Sequence, residues 1–126
     1  MVALNKETVY LLDDDSSVLK STGRLLDSAG WKVEAFTDPI AFLDHAAIHC
    51  PDVAVIDILM PAMNGLEVQR RLRGVSPSTR VIMLTAKDDP SVRRTAINGG
   101  ASAFFLKDVQ SGEFLAGLKA ALHSGK

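Results

Sequence analysis

Six polar residues stand at the ends of otherwise apolar runs. Asp13, Asp14 and Asp15 follow Thr8–Leu12 (TVYLL). Asp57 lies inside VAVIDI, Thr85 follows VIML, and Lys107 follows AFFL. Apolar runs of this length read as buried strands, so each of these side chains falls at the carboxyl end of a strand. Carboxylates gathered within a few ångströms repel one another. A hard divalent cation such as Mg²⁺ relieves that repulsion with oxygen ligands in octahedral geometry, and it often shares its site with a phosphate. A lysine opposite balances the remaining charge, and a threonine hydroxyl adds a donor. In such a setting Asp57 can act as a nucleophile, because carboxylates form acyl phosphates. Lys107, Thr85 and the metal would then stabilise charge on a transferring phosphoryl group.

The elements that must position these residues are readable in order. After the Thr8–Leu12 strand, residues 17–29 place Val18, Thr22, Leu25, Leu26 and Ala29 on one helical stripe, and Gly30 ends it. Lys32–Phe36 (KVEAF) alternates polar and apolar, which predicts a half-exposed strand at a sheet edge. Asp38-Pro39 is a cap followed by a first-turn proline, predicting a helix to about Ile48. Asp52–Ile58 reads as the third strand, Gly65 to about Arg73 as a helix, and 74–78 as a loop. Val81–Leu84 is the fourth strand. Asp89-Pro90 repeats the cap signal for a helix ending at Asn98-Gly99-Gly100. Ala103–Leu106 is the fifth strand, and 112–123 the last helix.

Strands joined by helical crossovers run parallel, and right-handed crossovers place helices on both faces. The expected fold is α/β: an open, doubly wound sheet of five parallel strands with five helices, a three-layer sandwich. Apart from Lys32–Phe36, the strands are apolar almost throughout, as central parallel strands are. A binding crevice is expected at the carboxyl ends, where strand order switches.

The chain has 126 residues, the size of one domain. One unit is expected over 1–126, with its core at about 8–122 and HSGK at 123–126 suiting the start of a linker. The formal net charge of −1 lacks the basic excess of a nucleic-acid binder. Cys50 is the one cysteine, so neither an intrachain disulfide nor a multi-cysteine zinc site can form. No apolar run approaches the ~18 residues of a membrane span, and Met1–Lys6 lacks the apolar stretch of a signal peptide. The cytoplasm is the expected compartment.

Four segments in order carry a family resemblance: LLDDD at 11–15, VIDILMPAMNG at 55–65, VIMLTA at 81–86 and GGASAFFLK at 99–107. The chain resembles the receiver domain of two-component response regulators, over about 8–122, and so implies a flavodoxin-like fold. The resemblance implies that Asp57 is the phosphoacceptor, that Asp14 binds Mg²⁺ directly and that Asp13 acts mostly through water. It implies the backbone carbonyl of Leu59 as a third protein ligand. Thr85 would be the switch hydroxyl, Phe104 the switch aromatic and Lys107 the family lysine. Met60-Pro61 and Asn64-Gly65 fit the loop that shapes the site. The implied partners are a sensor histidine kinase or phosphotransfer protein, and a second copy through the face of the fourth helix, fifth strand and fifth helix. Asp108 departs from the proline usual after the lysine, and LKDVQSGEF is similar to receivers joined to LuxR/NarL-type helix-turn-helix domains. A cis Lys107–Asp108 bond would cost roughly 2.5–4 kcal/mol.

Plainer readings exist. Asp13–Asp15 could only cap a helix, Asp57 and Thr85 could only end strands, and Phe104 could be core alone. Arg70, Arg71, Arg73, Arg93 and Arg94 read as solvated helix faces, and His45, His49 and His123 are assigned no role. Cys50 is expected to pack as a small apolar residue. Competing functions are an aspartate-nucleophile phosphohydrolase of the haloacid dehalogenase type, a pseudo-receiver and a nucleotide-binding domain. The first needs an acid two residues past the nucleophile, where Leu59 stands. The second usually loses the acidic pair or the lysine. The third lacks both G-x-G-x-x-G and G-x-x-x-x-G-K-[ST] here.

Overall fold

The structure, a computed structural model, describes residues 7–123. The expected absence of a signal peptide in Met1–Lys6 lies outside the described residues, as does the linker expected at 123–126 apart from His123, which is helical. The elements alternate strictly: β1 (Thr8–Leu12), α1 (Ser16–Ser28), β2 (Lys32–Phe36), α2 (Pro39–His49), β3 (Val53–Ile56), α3 (Gly65–Val75), β4 (Arg80–Thr85), α4 (Pro90–Asn98), β5 (Ala103–Leu106) and α5 (Ser111–His123). The strands form one sheet in the order β2-β1-β3-β4-β5, and every pairing is parallel.

Alternation along each strand divides the core in two. Val9 and Leu11 of β1 point to Leu19 and Leu26 of α1 and to Phe114 and Leu118 of α5. Tyr10 and Leu12 point the other way, to Phe42 of α2, Val68 and Leu72 of α3, and Ala96 of α4. Fully burying side chains of this size stabilises the fold by roughly 1.5–3 kcal/mol each. Four helices begin on a side-chain cap: Asp15, Asp38, Asn64 and Asp89 each accept from a backbone N–H of the first turn. Each cap contributes about 1 kcal/mol.

Several expectations change. β5 is apolar yet forms the second sheet edge, and all its residues are only half-buried. Its apolar side chains pack against helices on both faces although one backbone edge is unpaired. β3 ends at Ile56, so Asp57 stands just past the strand. α3 continues through Gly74 to Val75, because the Ser76 N–H still reaches the Leu72 carbonyl at 2.7 Å. Cys50 is exposed. It ends α2 in the left-handed region at φ 47°, where its N–H bonds to the Ala46 carbonyl at 2.8 Å while the chain turns into Pro51. Among the described residues no peptide bond is cis, so Lys107–Asp108 is trans. No helix among them is long and apolar enough to cross a membrane.

Candidate functional site

The strand order reverses between β1 and β3, and backbone hydrogen bonds draw the strand ends together there. The Asp57 N–H donates to the Leu12 carbonyl at 2.9 Å, and the Asp13 N–H to the Phe36 carbonyl at 3.2 Å. On the other flank the Lys107 N–H donates to the Thr85 carbonyl at 2.8 Å. Asp13 Oδ1 accepts from the Asp15 N–H at 2.9 Å, which orients the acidic turn. Asp13, Asp57, Thr85 and Lys107 therefore come together at the carboxyl edge of the sheet.

Lys107 Nζ lies 2.8 Å from Asp13 Oδ2 and 3.5 Å from Asp57 Oδ2. One carboxylate oxygen from each of Asp13, Asp14 and Asp57 falls within 4.8 Å of the others. Asp13 is 4% exposed and Asp57 3%, whereas Asp14 faces solvent. Burial, and then the Asp13 charge, push the Asp57 carboxyl up to about 6 against the opposing charge of Lys107. Burial works against the Lys107 ammonium. Its hydrogen bond to Asp13 and the charges of Asp57 and Asp13 outweigh that and hold its pKa above the ordinary value.

Asp57 Oδ1 is buried with no hydrogen-bond partner among the described residues. An orphaned buried carboxylate oxygen is costly. Here it sits among three carboxylates facing a single lysine. The donor set is all oxygen, and one member, Asp14, is open to solvent. That combination fits a hard divalent cation that keeps part of its water shell.

Thr85 is 1% exposed at the end of β4. Leu59 stands two residues past Asp57 with a half-exposed side chain. Phe104 is not in the carboxylate cluster. It packs on the α2–α4 side of the sheet, where the Arg93 guanidinium lies 4.9 Å from its ring centroid. Arg93 is therefore more than a solvated residue. His45 and His49 stack at 6.2 Å along α2, a contact the sequence reading overlooked despite their one-turn spacing.

Sequence reasoning also missed what Gly65 does. A Cβ at this position would lie 2.2 Å from the Asp57 carbonyl oxygen and 2.7 Å from the Ile58 Cα. Only glycine lets the start of α3 rest on the Asp57 backbone, where the Gly65 N–H donates to the Ile58 carbonyl at 2.9 Å. The Asn-Gly pair at 64–65 was the available signal.

A parallel five-stranded sandwich with an acidic trio and a lysine at its switch point defines a class of signalling domain, and comparison agrees. Residues 9–119 match the response regulator receiver domain family. The chain belongs to that family, a regulatory unit rather than a turnover enzyme. It is 36% identical over 118 residues to the response regulator MprA of Mycobacterium tuberculosis H37Rv, covering 94% of this chain and 51% of that one. The chain thus spans about half the length of the curated relatives it matches. Among solved structures it is similar to a CheY-like receiver from Methanospirillum hungatei, with a TM-score of 0.88, 26% identity and 94% of both chains covered. It is also similar to the receiver domain of the putative response regulator NarL from Mycobacterium tuberculosis. There the TM-score is 0.84 with 32% identity, covering 96% of this chain and 100% of the other. Receiver domains generally bind Mg²⁺ at an acidic site and interact with histidine kinases or phosphotransfer proteins.

Proposed function

We propose that this receiver is phosphorylated on Asp57 and works as a switch controlling an output domain or partner. The observation that carries this is the buried, unpartnered Asp57 oxygen beside Asp13 and Lys107. An Asp57 oxygen attacks the phosphorus of a phosphohistidine. The P–N bond breaks, and the imidazole leaves with its electron pair and takes up a proton. Asp13, Asp14 and Asp57, with the Leu59 carbonyl, would hold Mg²⁺, which supplies charge neutralisation for the phosphoryl oxygens. Lys107 offers a fixed ammonium to the same oxygens, and Thr85 a hydroxyl donor at the neighbouring strand end. The domain assists both its own phosphorylation and the later hydrolysis.

The receiver unit is read as about 8–122 within 1–126, cytoplasmic, with no nucleic-acid contact of its own. Its output runs through the α4–β5–α5 face, by docking a partner or a second copy, with Thr85 and Phe104 moving together. The half-exposed Leu59 argues against a phosphohydrolase, since it has no proton to give. The test is incubation with acetyl phosphate and Mg²⁺ followed by intact mass. One phosphoryl adduct is expected in the parent and none in Asp57→Asn. An adduct persisting in that variant would overturn the assignment.

A further inference from the structure

The first turn of α4 carries a contact that the crevice does not explain. Asp89 Oδ1 accepts from the backbone N–H of Ser91 at 3.0 Å and of Val92 at 3.4 Å, which fixes that turn and the placement of Arg93. The Arg93 guanidinium covers the Phe104 ring at 4.9 Å. Its Nη2 also donates to Asp88 Oδ1 at 3.0 Å. Asp88 lies in the segment between β4 and α4, just after Thr85. In the β4–β5 ladder Phe104 pairs with Met83, and Thr85 pairs with Leu106. Met83 and Thr85 are two apart on one strand, so Phe104 and Thr85 share a face of the sheet. A single side chain thereby joins the β5 aromatic to the loop that leaves Thr85.

We propose that Arg93, held by Asp88, is a positioning residue that keeps Phe104 and the 86–89 loop in their unphosphorylated arrangement. The proposal rests on Asp57 being the phosphoryl acceptor. If Thr85 moves toward a phosphoryl group, the loop carrying Asp88 moves with it. The guanidinium then cannot keep both partners. The contact therefore opposes phosphorylation, and by linkage phosphorylation opposes the contact. Arg93 and Asp88 are about half exposed and Phe104 is half-buried, so both halves of the contact are individually weak, which suits a restraint that has to yield.

The test uses an equilibrium readout: affinity for beryllofluoride with Mg²⁺, a non-covalent phosphoryl mimic. Arg93→Met and Asp88→Asn should each tighten binding roughly two- to fivefold. Simple attraction of an anionic ligand predicts opposite signs for the two variants, since one removes a positive charge and the other a negative one. Arg93→Lys should fall between parent and Arg93→Met, and Arg93→Met should change nothing further in a Phe104→Leu background. Amide exchange across 86–89 should quicken in unphosphorylated Arg93→Met. Opposite signs, unchanged affinity, the same effect without the Phe104 ring, or unchanged exchange would each overturn the proposal. Failure of the parent itself to bind beryllofluoride would instead strike the Asp57 assignment, and the exchange measurement would still judge the restraint.

Discussion

Two carboxylates in this molecule lie beside cationic side chains and respond in opposite directions. Glu67, on α3, receives Arg70 at 3.0 Å and Arg71 at 2.9 Å, and those hydrogen bonds pull its pKa down to about 2. Asp57 has Lys107 at 3.5 Å, yet its pKa is pushed up to about 6. The difference is water. Glu67 and its arginines are open to solvent, so the charges are screened and the cluster does little for stability. Asp57 is sealed beneath the crevice beside a second carboxylate, and its lysine is shared with Asp13. A negative charge that the fold disfavours is one that a bound cation can relieve.

The comparison breaks first at the architecture that seals Asp57. Gly65→Ala forces a methyl group into the Asp57 backbone. It should destabilise the domain by roughly 3 kcal/mol, the upper end for overpacking, and abolish phosphoryl uptake. Urea denaturation and intact mass measure the two effects.

Asp57→Asn removes the disfavoured charge and keeps the shape. The folded-state pKa of Asp57 is raised above its unfolded value of 3.8 to about 6. Its contribution to stability is therefore fully present below pH 4 and lost as pH rises through 6. The loss amounts to roughly 3 kcal/mol at most. Metal-free Asp57→Asn should be more stable than the parent at pH 7 by up to that amount, and the advantage should vanish near pH 4. Denaturation series at the two pH values, with chelator present, give the difference.

Metal sharpens the same contrast. Mg²⁺ at 100 times its Kd should stabilise the parent by about 2.7 kcal/mol, raising Tm. The gain should shrink strongly in Asp14→Ala. The smallest effect belongs to the surface cluster: Glu67→Gln should leave the denaturation midpoint and the Mg²⁺ response unchanged, and a clear loss of either would show that the solvent argument is wrong.

Much of this arrangement is legible in the sequence because its signals are local. Apolar runs mark β1 and β5, and polar–apolar alternation marks β2, at their observed bounds, and Asp38-Pro39 and Asp89-Pro90 mark two helix starts. Asp13, Asp14 and Lys107 follow from the carboxyl ends of β1 and β5, and Asp57 from that of β3, although the sequence pattern carries this strand on to Ile58. What stays hidden depends on contacts distant in the chain. The apolar content of β5 cannot reveal that it is an edge, because strand order is not written in any one strand. The closeness of Gly65 to Asp57, the ring contact of Arg93 and the solvent-facing turn at Cys50 likewise appear only when the elements pack. The departure at Asp108 left the Lys107 peptide open, and the trans bond leaves the ammonium 2.8 Å from Asp13.

The central claim is that Asp57 carries a charge the fold disfavours until a cation arrives. Carboxyl-carbon NMR on aspartate-labelled protein, assigned with Asp57→Asn, reads that charge directly. Without metal, Asp57 should titrate at about 6, and with saturating Mg²⁺ its midpoint should fall well below that. A midpoint in the ordinary carboxylate range in the absence of metal, or one that Mg²⁺ leaves unmoved, would contradict the account.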